Sequence, residues 1–271
     1  MLNSSRGPAV RGPRTQADRK LYKKAVYKIL KKEKNLRILE ESVEDLLIEN
    51  KKTFGVLLAN KGKVFADSVV LTTGTFLRGM IKIGKEFYPA GRIGDKPSLK
   101  LAQKIEDLKF SIGRLKTGTP PRIMKKSINF NELEEQTPDK NPKPFSFINN
   151  LIHIPQISCY ITQTNRKTHD LIYKNLHLSP MYSGRVYSTG ARYCPSIEDK
   201  ITKFASKLSH QIFLEPEGLD SDVIYPNGIS TSLPEEIQTM FVRSIKGLEN
   251  CKILKPGYAI EYDYIDPTEL H

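Results

Sequence analysis

"ISCYITQTNRKTHDLIYKNL", residues 157–176, changes its period within twenty residues. The first half is a short apolar, β-branched run suited to a strand. After Thr164 and Asn165 the second half reads as a helix, with the Thr/Asn pair in capping position. A strand passed to a helix through a cap is the repeating step of α/β proteins, and the same alternation continues on both sides. Downstream, "PSIEDKITKFASKL" (195–208) sets Ile197, Ile201, Phe204 and Leu208 at steps of four, three and four, which predicts one inward helical face. "HQIFLEPEGL" (210–219) and "SDVIYPNGI" (221–229) read as strand and turn. "STSLPEEIQTMFVRSIKGLEN" (230–250) reads as a helix with Ser232 and Glu235 as a capping box and Pro234 in its first turn. "YAIEYDYI" (258–265) is a closing strand.

Upstream, a helix is expected after Asp18, whose charge suits the dipole, with Leu21, Ala25, Tyr27 or Ile29, and Leu30 on a partly apolar face. "FGVLLAN" and the turn "NKGK" predict a hairpin that feeds a buried strand, "VFADSVVLTTGTF", ending at Thr72, Thr73 and Gly74. A further helix follows Pro97 and Ser98 with Leu99, Leu101, Ile105 and Leu108 on a loose face, and "SIGRL" (111–115) returns to strand. Residues 124–150 are polar and Pro-rich, as in a long excursion or an inserted subdomain.

The formal charge is +13, from 43 basic and 30 acidic residues, which suits a polyanionic partner. Lysines outnumber arginines 30 to 13, so biased amino-acid usage is the competing account. No apolar run approaches the roughly 18 to 20 residues that span a bilayer, so no membrane association is expected. Cys159, Cys194 and Cys251 are an odd number in no CxxC pattern, which argues against a disulfide framework or a zinc site. His169 and His210 have no ligand spacing, and no metal site is expected.

Cys194 lies in "GARYCPSIEDK" (190–200), directly before Pro195 at a helix start and beside Arg192. Helix N-terminal N–H groups and a nearby cation favour a thiolate, whereas Glu198 and Asp199 oppose it. A half-buried capping cysteine fits the same residues. Cys159 and Cys251 read as core filling. "GRLKTGTPPRI" offers Arg114, Lys116 and Arg122 around a glycine loop as an anion cradle, without Walker A spacing. Glu215, Glu217 and Asp220 could serve as acid/base residues, but beside Pro and Gly they read as turn formers. No GxGxxG occurs in the chain.

Together, "NSSRGPAVRGPRTQADRKLY", "VVLTTGTFLRGMIKIG", "AGRIGDKPS", "GRLKTGTPPRI", "PFSF", "TNRKTHDLI", "SPMYSG", "ARYCPSIEDKI", "IFLEPEGLDSDVIYPNGISTSLP" and "PGYAIEYDY" occur in the order of the MnmG (GidA) family, which the chain resembles from end to end. These are flavin-dependent tRNA uridine 5-carboxymethylaminomethyl modification enzymes of bacteria and mitochondria. The resemblance implies an α/β fold: part of an FAD-binding, glutathione-reductase-like, Rossmann-type domain (1–120), an inserted α+β domain with the NAD-binding segment (121–218), and a return to the FAD domain (219–271). It also implies an internal fragment, lacking the N-terminal FAD glycine motif and the C-terminal helical domain, that on its own binds FAD weakly or not at all.

The implied activity is aminomethyl-type addition at carbon 5 of a tRNA wobble uridine. It uses FAD, NADH and a folate-derived one-carbon donor, in complex with the GTPase MnmE and with a homodimer in the full-length family. Residue by residue, Cys194 matches a functional cysteine, as nucleophile or proton donor. Val43 and Ser98 match FAD contacts, and Thr72, Thr73 and Gly74 a strand end that closes over the dinucleotide. Gly190, Ala191, Arg192, Tyr193, Cys194, Pro195, Ser196, Ile197, Glu198, Asp199, Lys200, Ile201, Thr202, Lys203 and Phe204 match the NAD-binding segment. A cysteine suits this chemistry because thiolate addition at carbon 6 of uracil turns carbon 5 into a nucleophile. The expected compartment is the cytoplasm, with the mitochondrial matrix as alternative. The related folate-dependent tRNA uridine methyltransferase, a catalytically incomplete tRNA- or partner-binding fragment, and a free-standing NADH-binding protein are the other readings.

Overall fold

The computed structural model describes residues 1–184, 189–190 and 195–269. The chain runs through α1 (Arg19–Lys32), a hairpin sheet of β1 (Val43–Glu49), β2 (Lys52–Leu58) and β3 (Gly62–Phe65), then β4 (Met80–Ile83), β5 (Glu86–Pro89) and α2 (Leu99–Asp107). It continues with β6 (Ile112–Thr119), β7 (Arg122–Met124), β8 (Glu134–Gln136), β9 (Cys159–Gln163), α3 (Arg166–Lys174), β10 (Thr189–Gly190) and α4 (Ile197–Lys203). β11 (Gln211–Pro216), β12 (Val223–Asn227), α5 (Glu235–Val242), β13 (Ile253–Lys255) and β14 (Tyr258–Ile265) follow.

Three sheets organise these elements, in the orders β1-β2-β3, β10-β6-β14-β4-β5 and β13-β7-β12-β11-β9-β8. The α/β class holds, with antiparallel pairing in every described strand pair except β10 against β6. The main core lies between the third sheet and its helices. Ile123, Ile212, Leu214 and Ile224 from the strands meet Ile172, Ile197, Ile201, Ile237, Phe241 and Val242 from α3, α4 and α5. Each such side chain, fully buried, contributes roughly 1.5–3 kcal/mol of transfer free energy. A smaller core, Leu46, Leu77, Leu101, Ala102 and Ile105, seats α2 on the hairpin sheet, with Val43 packed at its edge.

The α3 cap forms as its sequence directs. Asn165 Oδ1 accepts from the Thr168 N–H at 3.0 Å, Thr168 reciprocates, and Asn165 Nδ2 donates to the Ser244 carbonyl at 2.7 Å. Asn165→Ala removes both the cap and this tie to the end of α5. The expected loss is about 2 kcal/mol in urea unfolding, with Asn165→Asp intermediate because it keeps only the cap.

Four local expectations change. The segment 66–73 is not a buried strand: Val70 is 84% exposed, because no strand of the described residues lies beside it to pair its backbone. Phe204 and Leu208 are exposed rather than inward, since α4 ends at Lys203 and the chain turns toward β11. At α5, Pro234 is the N-cap and no Ser232–Glu235 box forms, because the Ser232 N–H donates to Glu198 and its hydroxyl meets Ser179. The α1 helix forms, capped by Asp18, but the expected apolar face packs into no core, since no residue of that helix is buried.

Candidate functional site

The segment matched to nicotinamide binding is built around Lys116 on β6. Gly190 of β10 pairs in parallel register with Lys116, and Asp199 Oδ2 lies 3.5 Å from the Lys116 ammonium. The stretch 190–199 therefore leaves and returns to one residue. Ala191, Arg192, Tyr193 and Cys194 lie outside the described residues. Pro195 is exposed and precedes the Ser196 N-cap, so it stands before the cap and not in the first helical position expected for it.

Ser196 and Asp199 form a capping box. The Asp199 N–H donates to Ser196 Oγ at 3.1 Å and the Ser196 N–H to Asp199 Oδ2 at 3.2 Å. Asp199 also accepts from the Tyr182 hydroxyl at 3.2 Å and pairs with Lys203 at 3.4 Å. Burial acts to raise its pKa, but Lys116, the Ser196 N–H and Lys203 outweigh it and hold the carboxyl below its ordinary value. Burial pushes the Tyr182 phenol up to about 12.

The neighbouring carboxyl is driven the other way. Glu198 is fully buried, and burial raises its pKa against the opposing Ser232 N–H and Thr231 hydroxyl. Its Oε1 accepts from Thr231 Oγ1 and the Ser232 N–H, both at 3.0 Å, and from Ser179 Oγ at 3.4 Å, while Oε2 has no partner. Two consecutive carboxyls are thus pushed in opposite directions, Glu198 up by burial in the core and Asp199 down by the cations and N–H groups at the cap. A void of about 10 Å³, lined in part by Lys116, Met181, Ser196, Thr231 and Ser232, lies beside them. It has room for one water at most.

Of the remaining candidates in this segment, Ile197 and Ile201 are core, Lys200 donates to the Gly228 carbonyl at 2.8 Å, and Thr202 Oγ1 donates to the Glu198 carbonyl at 2.9 Å. Lys203 and Phe204 face solvent.

The residues matched to FAD gather elsewhere, around α2. Ser98 is its N-cap, and the Ser98 N–H donates to the Phe76 carbonyl at 2.9 Å while Leu77 bridges to Ser98. Val43 packs on the same small core. Thr72, Thr73 and Gly74 lead into the turn at 74–75, where Gly74 has φ 55° and open space above it. An exposed glycine turn after unpaired, exposed Val70 and Leu71 fits one rim of a flat dinucleotide site. It supplies no phosphate-binding glycine loop. A groove of about 650 Å³ between β1, β2 and α2 runs beside Val43, spanned by the ion pairs Lys100–Glu44 and Lys104–Asp45.

A family model described as "Glucose inhibited division protein A" matches residues 1–271. The chain belongs to the GidA family. It is also similar to Aquifex aeolicus GidA in two crystal forms: 46% identical with TM-score 0.91 over 99% of this chain, and 46% identical with TM-score 0.90 over its full length. It spans 46% and 44% of those GidA chains, less than half of their length.

Within this GidA-family chain two expectations about charged residues change. Arg114, Lys116 and Arg122 do not form an anion cradle, because they pair with Asp263, Asp199 and Glu217 respectively. Glu215 and Glu217 are not turn formers but anchors for the N-terminal segment. Arg14 reaches Glu215 at 2.6 Å, Arg19 reaches Glu217 at 3.0 Å, and Asp18 accepts from the Leu219 N–H at 2.8 Å. Cys251 is buried in the main core, and burial pushes its thiol up to about 11; Cys159 is half-buried and raised by the same cause. Among the described residues, no group of three or more His, Cys, Asp and Glu gathers to hold a metal, and no helix is long and apolar enough to cross a membrane.

The sequence reading missed the Ser196–Asp199 box, although its S-x-x-D spacing was visible. It also missed the Glu198 cluster, whose partners Ser179, Thr231 and Ser232 stand 19 to 34 residues away and carry no local signal.

Proposed function

We propose that this chain serves FAD- and NADH-dependent modification of a tRNA wobble uridine, adding a 5-carboxymethylaminomethyl-type group at carbon 5 in complex with the GTPase MnmE. The supporting observation is the GidA family match along the whole chain. FAD and NADH, when bound, supply the redox steps, and a folate-derived donor supplies the carbon. This chain's residues bind and position. Val43, Ser98 and Thr72 to Gly74 form a rim of the flavin site, and the 190–204 segment meets the nicotinamide. Cys194 acts on the uracil as nucleophile or proton donor, its segment held at both flanks by Lys116. We retain the division 1–120, 121–218 and 219–271, a homodimeric assembly of the full-length protein, and the cytoplasm as its compartment.

Changing Cys194 to serine in the chromosomal gene, followed by mass spectrometry of nucleosides from total tRNA, tests this reading. The 5-carboxymethylaminomethyl-type uridine is expected to disappear while the unmodified base accumulates. Unchanged modification in that strain would refute the assignment.

A further inference from the structure

Helix α1 carries Arg19, Lys20, Lys23, Lys24, Lys28, Lys31 and Lys32 and no carboxylate, so over half of the chain's +13 resides on fourteen residues. At 3.6 residues per turn these cations fall in one broad arc, which Leu21 and Leu30 interrupt, while Tyr22, Ala25, Val26 and Ile29 fall opposite. Lys20, Lys24, Lys28 and Lys32 follow one another at about 6 Å of axial rise. All six lysines are exposed, and none lies within ion-pair distance of a carboxylate among the described residues; Arg19 alone pairs, with Glu217. Lysines three and four apart repel, so each such pair disfavours the helix unless an outside anion neutralises it.

We infer that the cationic arc of α1 is a docking surface for an RNA backbone. This rests on the tRNA reading above and gives it a location. Phosphates relieve the self-repulsion and release counterions. Tyr27, 52% exposed, falls inside the arc between Lys23 and Lys20, where an aromatic ring can stack on a base. The surface is pre-set, since Asp18 and Arg19 fix the start of α1 to Leu219 and Glu217.

The test measures fluorescence anisotropy of an in vitro transcribed tRNA with the full chain across a salt series, beside flotation with phosphatidylserine vesicles. Replacing Lys20, Lys24, Lys28 and Lys31 with alanine is expected to weaken tRNA binding at least tenfold at 150 mM salt, and to flatten the log–log salt slope by about 3. Equal charge removal at Lys52, Lys61, Lys63 and Lys85 is expected to change affinity less than threefold. The same four α1 positions changed to arginine should retain binding, which separates charge from misfolding. Wild-type affinity in the α1 alanine variant would overturn the surface and leave the tRNA reading standing. Absence of salt-sensitive tRNA binding in the wild-type chain, or capture by vesicles and not by tRNA, would overturn the surface outright. The Cys194 experiment stays independent of either result.

Discussion

Glu198→Ala is expected to destabilise the protein by about 3 kcal/mol. The Thr231 hydroxyl and the buried Ser232 N–H lose their acceptor, each an expensive group to leave unpaired, and the vacated volume is enclosed. Glu198→Gln keeps a carbonyl oxygen for the same donors and imitates the neutral acid, so it should stay within about 1 kcal/mol of wild type at pH 5. The two also part with pH. In the unfolded chain this carboxyl has its ordinary value of 4.5, whereas burial raises it in the native state. The native state then binds more protons, and wild-type stability falls as pH rises above the unfolded value. Urea unfolding at pH 5 and pH 8 should show that fall in wild type, reduced in the glutamine variant. A wild type that gains stability over that range relative to the glutamine variant would mean that Glu198 is ionised in the fold.

The second large effect lies on the five-stranded sheet. Lys82 on β4 contacts Glu261 on β14, both nearly buried, and Lys82 also stands over the Phe87 ring at 5.0 Å. Glu261→Leu removes the carboxylate in contact with the buried ammonium and is expected to cost about 3 kcal/mol. Lys82→Met should cost less, because Arg114 Nη2 stays 3.9 Å from Glu261. The double variant is expected within about 1 kcal/mol of wild type, since well-packed apolar replacements of a buried pair are often neutral. Chemical denaturation of the three variants checks the order, and a double variant as damaged as Glu261→Leu would contradict it.

What the sequence made legible followed local rules. Asn165 caps α3, Asp18 caps α1, the "NKGK" turn joins β2 to β3, and the 258–265 strand forms, because each depends on residues within a few positions of one another. The failures required distant partners. "VVLTTG" has a strand's composition, yet composition does not supply a neighbouring strand, and Val70 remains exposed. Ser232 had a capping-box spacing but was drawn to Glu198 across 34 residues. Arg114, Lys116 and Arg122 looked like free cations because the carboxylates that neutralise them lie 83 to 149 residues later. The site followed the same division: a helix start near Pro195 was visible, whereas the opposed shifts of Glu198 and Asp199 depend on burial and partners that no single segment encodes.

The order of strands in the largest sheet also governs when it can form. Ile123 of β7 pairs with Ile224 of β12 and Ile253 of β13, residues about 100 and 130 positions downstream. Closing such long loops precedes any gain from the contacts they create, which slows folding. On a ribosome making about ten residues per second, β7 waits on the order of ten seconds for its neighbours. Until then its edges are open to other chains, so this strand is a point where nascent-chain chaperones have time to act.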